Sequence, residues 1–148
     1  IMTGVDNGKD GELVRFGYHY FFEGDSNEVY NRLKDESQHL IFIDGCHCFA
    51  HVVSDFFCYA PKVKVGGYLA FHDTGKHIKP FKDFQHGDKN NQDAYISVRK
   101  ALNRIGLLFD ADMLKLYEDS AKEWGWGLIF DESDPSNEAG GICCFKKL

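Results

Sequence analysis

Two short apolar runs each stop at an acid. Leu40-Ile41-Phe42-Ile43 ends in Asp44-Gly45, with His47 three residues beyond Asp44. Tyr68-Leu69-Ala70-Phe71 ends in His72-Asp73-Thr74. Such runs read as strands of a parallel sheet covered on both faces. In parallel sheets ligands bind just beyond the carboxyl ends of the strands. Asp44 and Asp73 are therefore expected side by side at the rim of one crevice, where the chemistry is that of a ligand site. Each acid has a structural alternative, the capping of a following turn or helix. His47 and His72 have theirs too, as hydrogen-bonded structural histidines. Cys46-His47-Cys48 has the look of a metal clip, but zinc sites pair C-x2-4-C with a second ligand pair elsewhere. The other adjacent pair, Cys143-Cys144, lies in an apolar run, and five cysteines suit no disulfide framework. Buried, reduced thiols are expected.

The elements that would position these groups follow from patterning. Phe49, Val52, Val53, Phe56 and Phe57 recur at helical spacing, predicting a helix over Phe49 to Tyr59 that Pro61 stops. Gly66-Gly67 would turn the chain into the second strand. Upstream, Ile1 to Asp6 reads as a strand ending in Asp6, and Tyr18 to Glu23 as an aromatic strand. Ser26 is the expected N-cap of a helix over Asn27 to Lys34. Downstream, Gly75 to Asn91 reads as a long polar loop, either a lid over the crevice or a disordered insertion. A helix is expected within Gln92 to Ile105 and a strand over Met113 to Tyr117. Trp126 to Phe130 and Ile142 to Phe145 suit an antiparallel hairpin around the polar DESDPSNEAGG segment. The sum is one α/β domain over residues 1–148, with a mostly parallel sheet and an antiparallel strand at its C-terminal edge.

Composition sets bounds. The 148 residues carry 43% apolar and 15% aromatic residues, enough for one sizeable core. A net charge of −6 without a basic patch gives no support to a nucleic-acid surface, and no nucleic-acid partner is expected. No apolar run approaches the ~20 residues of a spanning helix, and no signal peptide is visible, so a cytoplasmic protein is expected and no membrane partner. His19, His39, His51, His77 and His86 are read as structural, and Trp124 and Trp126 as packing residues.

At this point the chain resembles the class I S-adenosylmethionine-dependent methyltransferases. The nearest subgroup is the small O-methyltransferases whose central region reads IDG-x-H, helix, GG, strand, HDT. The residues that carry this are Ile43-Asp44-Gly45-Cys46-His47, Gly66-Gly67 and His72-Asp73-Thr74, joined by Phe22-Glu23-Gly24-Asp25-Ser26 upstream. The resemblance implies methyl transfer from S-adenosylmethionine to a small-molecule hydroxyl. It implies that Asp6 accepts hydrogen bonds from the cofactor ribose and that Asp25 and Ser26 face the adenine. Asp44 would lie near the methionine part and, in metal-dependent members, would bind Mg2+ with Asp73, and with Thr74 or His72 adjacent. His47 stands where catechol-type relatives carry a lysine base, and is the candidate base.

One part of the family pattern is missing. The Gly-rich turn after the first strand is not found; Gly4, Gly8 and Gly11 form a degenerate alternative, in a register the Asp6 to Gly24 spacing disfavours. The fold is thus expected to be N-terminally incomplete. Three explanations stay open: the carboxyl-terminal portion of a longer methyltransferase, which the start at Ile1 favours; a sheet rearranged or completed by a partner chain, giving a homo-oligomer through sheet edges; or a non-catalytic binding module.

Overall fold

The computed structural model describes residues 2–6, 19–75, 98–108, 125–132 and 140–148, with backbone alone for 2–6 and 19–23. They form two compact units, residues 1–34 and 35–148. In the first, strands β1 (Met2–Asp6) and β2 (His19–Glu23) pair in parallel, with Asp6 opposite Glu23. Helix α1 is short, Ser26–Val29, and runs on as a 3-10 turn over Tyr30–Arg32. Its N-cap is Asp25 rather than the expected Ser26, because the Asp25 carboxylate accepts the Asn27 N–H at 2.9 Å.

The second unit carries the sheet that organises the molecule. Strands β3 (Gln38–Ile43), β4 (Val63–His72), β5 (Trp126–Glu132) and β6 (Ile142–Lys147) lie in the order β3-β4-β6-β5. β3 and β4 are parallel, and β6 runs against both β4 and β5. The reversed last strand is therefore inserted one place in from the edge. Helix α2 spans Phe49–Tyr59, the expected range, and Pro61 sits in the 3-10 turn Ala60–Lys62 that ends it. β4 is longer than expected at its start. Gly66 and Gly67 lie within it, Gly66 with φ +80°, where the register with β3 shifts between Gln38 and Leu40. A Cβ at Gly67 would lie 2.9 Å from the His39 carbonyl, so glycine is what lets β4 approach β3 there.

The core forms where α2 and helix α3 (Val98–Arg104) meet one face of this sheet. Val52 and Phe56 of α2, Ala101 and Leu102 of α3, Leu69 and Phe71 of β4, and Cys143 and Phe145 of β6 are buried together. Phe71 and Phe145 meet edge to face at 6.3 Å, a geometry aromatic rings favour. Elsewhere on the strands, Leu40, Phe42, Leu128 and Phe130 are exposed, so among the described residues the expected cover on both faces is seen on one. The expected 92–97 part of the third helix, the strand at 113–117, the 76–91 loop, Trp124, His77 and His86 lie outside the described residues. Trp126 is a packing residue, 6.1 Å from the Phe56 ring. No helix among the described residues is long and apolar enough to cross a membrane.

Candidate active site

Parallel pairing of β3 with β4 sets Ile43 opposite Phe71, so both strands end at the same rim. Asp44 follows β3 directly. His72 is the last residue of β4, and Asp73 follows it. The Asp44–Cys48 turn then leads into α2, with the Cys48 N–H donating to the Cys46 Sγ at 3.5 Å. This turn carries His47 over the rim. Its Nε2 stands 2.8 Å from Oδ2 of Asp73 and 3.7 Å from Oδ1 of Asp44. Nδ1 of His72 reaches the same two oxygens, at 3.2 Å from Asp73 and 3.4 Å from Asp44. One ligand atom each from Asp44, His47 and Asp73 lies within 4.8 Å of the others, a donor set that suits a divalent ion. Asp44 is half exposed, whereas the Asp73 side chain is 13% exposed.

Asp73 adopts φ +54°. The left-handed region is costly for residues other than glycine, asparagine and aspartate, and such conformations collect at functional sites. Here the conformation is held from behind. The Arg99 guanidinium of α3 donates to the Thr74 carbonyl at 3.0 Å, and forks onto both Asp131 oxygens of β5 at 3.0 and 2.9 Å. The Thr74 N–H donates to the Gly141 carbonyl and the Gly75 N–H to that of Gly140. A Cβ on Gly141 would lie 2.6 Å from the Gly75 nitrogen, so this crossing admits glycine alone. The Cys143 thiol donates to Asp131 at 3.2 Å. Burial pushes that thiol up to about 12, with Asp131 adding to the rise, while Thr74 and the Arg99 charge oppose it.

The structure thus brings together three of the residues expected from sequence: Asp44, His47 and Asp73. Thr74 is fully buried behind the rim. Asp6 ends β1, and Asp25 and Ser26 open α1, all within the first unit. Arg99 and Asp131 were not expected from sequence; the signal that could have found Asp131 is the strand pattern of residues 126–130, which continues through Asp131 to Glu132. All five cysteines are free thiols, with Cys48, Cys143 and Cys144 buried.

A parallel strand–helix–strand unit with acids at both strand ends, followed by a reversed last strand, defines a Rossmann-like methyltransferase sheet. Comparison with known proteins agrees. A family model described as a methyltransferase domain matches residues 7–74. Among solved structures, a SAM-dependent methyltransferase from Methanosarcina mazei is 13% identical, with TM-score 0.55 over 99% of this chain and 81% of its own. An O-methyltransferase from Bacillus cereus, solved with SAH, is 14% identical, with TM-score 0.50 over 87% of this chain and 50% of its own. The MycE methyltransferase of mycinamycin biosynthesis, solved with Mg and SAH, is 17% identical, with TM-score 0.53 over 98% of this chain and 36% of its own. The chain spans about half the length of several other solved structures it matches. No curated protein matches it. The fold is that of the class I S-adenosylmethionine-dependent methyltransferases.

Proposed function

We propose that the protein transfers a methyl group from S-adenosylmethionine to the hydroxyl of a small molecule, assisted by a divalent ion. The observation that carries this is the meeting of Asp44, His47 and Asp73 at adjacent strand ends of a methyltransferase fold. S-adenosylmethionine would supply an electrophilic methyl group, and a divalent ion held by Asp44 and Asp73 would acidify the acceptor hydroxyl. His47 takes the acceptor's proton. Asp73, 2.8 Å away, stabilises the resulting imidazolium. By the family resemblance alone, Asp44 would position the methionine end of the cofactor, Asp6 would accept from its ribose hydroxyls, and Asp25 with Ser26 would meet the adenine. Catalysis is then mainly positioning of acceptor against methyl carbon. Several similar structures were solved with SAM or SAH, and MycE with Mg as well, which supports the cofactor. A cytoplasmic site of action belongs to the same reading.

Thermal denaturation with S-adenosylmethionine or S-adenosylhomocysteine, with and without Mg2+, tests this. Ligand at a hundred times its dissociation constant should stabilise by about 2.7 kcal/mol. No shift at millimolar ligand would sink the enzyme reading for this chain. A second reading is a non-catalytic module that assembles through a sheet edge. It is favoured by β3, which among the described residues pairs with β4 alone. A concentration-dependent dimer that binds no cofactor would select it.

A further inference from the structure

An ion seated between Asp44 and Asp73 would meet imidazole as well as carboxylate. Nδ1 of His72 faces both acids, at 3.4 and 3.2 Å. That nitrogen is closed to solvent and finds no hydrogen-bond partner among the described residues. A polar atom left so is costly unless something shared by its neighbours satisfies it. The spacing suits a shared cation. Ligand atoms held about 2.1 Å from one ion stand roughly 3.0 Å apart at octahedral and roughly 3.4 Å apart at tetrahedral angles. The Phe42 ring meets His72 edge-on at 6.1 Å and restrains the imidazole plane. The fit to Mg2+ is weaker, because magnesium favours carboxylate and water oxygens, whereas imidazole favours borderline first-row ions.

We propose that His72 is a third ligand beside Asp44 and Asp73, and that the site takes a borderline ion of the Co2+ and Zn2+ class in preference to Mg2+. This rests on the metal-assisted reading above. It leaves His47 as the proton acceptor, against the same Asp73 oxygen.

The test is calorimetric titration of the whole protein with Co2+ and with Mg2+, with the visible spectrum of bound Co2+ as a second readout. Co2+ should bind at least about tenfold more tightly than Mg2+. Any site of nitrogen and oxygen shows some of that preference, so the variants decide. His72→Ala should weaken Co2+ by about tenfold or more and leave Mg2+ within about twofold. His72→Asn, which keeps an oxygen donor, should hold Mg2+ without restoring Co2+. His39→Ala, at an exposed histidine hydrogen-bonding distance from Lys64, should change neither. Melting temperatures of all variants show whether a loss is local. If His72→Ala binds Co2+ as the parent does, or Mg2+ binds as tightly as Co2+, the inference is overturned while metal assistance through Asp44 and Asp73 stands. If no divalent ion binds, both fall, and cofactor binding alone decides what remains.

Discussion

The second unit holds two charged clusters built in opposite ways. Behind the sheet rim, Arg99 and Asp131 form a two-pronged ion pair whose side chains are 12% and 15% exposed, with the Thr74 carbonyl and the Cys143 thiol as further partners. At the rim, Asp44, His47, His72 and Asp73 crowd two carboxylates and two imidazoles together. A buried charge pair is tolerated when its partners are complete. The first cluster meets that condition and fixes backbone. The second sets carboxylates against imidazoles at the sheet rim, with Asp44 half exposed. Similar residue types thus stand in two settings, one buried around a guanidinium–carboxylate fork and one at the rim around two imidazoles.

The comparison breaks most readily at its buried member. Arg99→Ala should cost about 3–5 kcal/mol in urea denaturation, since it strands the Asp131 carboxylate inside. Asp44→Asn, at the half-exposed rim, should stay within about 0.5 kcal/mol. Equal losses at the two positions would abolish the distinction. Activity should show the reverse order. If methyl transfer is measured, Asp73→Asn and Asp44→Asn should each lower turnover by about a hundredfold or more with the fold intact. Unchanged turnover in both would remove the rim from the mechanism.

A smaller effect sharpens the contrast through pH. The Cys143 thiol lies at about 12 in the folded chain against an ordinary 9.0. Between those values the unfolded chain has released the proton and the folded chain still holds it. Stability from this group is therefore complete below pH 9 and falls as pH rises toward 12, by about 1 kcal/mol per pH unit. Denaturation at pH 8 and 10 should show a shallower decline for Cys143→Ala than for the parent. Parallel declines would mean that the thiol is not held neutral by its surroundings.

What could be read from sequence followed the reach of the signal. Helix α2 was legible to its ends because its apolar spacing is regular and Pro61 supplies a stop. The rim was legible because Asp44 and Asp73 directly follow apolar runs, and parallel pairing of neighbouring strands places such ends together. The start of β4 was less so, since Gly66-Gly67 is a turn signal that here sits inside a strand. Asn27 to Lys34 read as one helix, but four α-helical residues and a 3-10 turn are what forms. The Arg99–Asp131 pair was not legible. Its partners are 32 residues apart, on a helix and a strand, and no local pattern marks which arginine meets which acid. Cutting the strand at Phe130 also placed Asp131 in a loop. His72 was visible as an alternative neighbour of Asp73, but its inward-facing nitrogen is a fact of three dimensions.

The torsion at Asp73 has a consequence for how this chain can change over generations. A left-handed φ of +54° narrows the comfortable occupants to glycine, asparagine and aspartate. Of these, aspartate alone carries charge. A single codon change to either neighbour would satisfy the backbone and leave the architecture standing while emptying the position of its chemistry. Loss of activity by that route would leave little trace in shape, so a silent descendant and a working one could share nearly the same coordinates. Among such relatives, the residue at this position would be a more telling record of function than the fold around it.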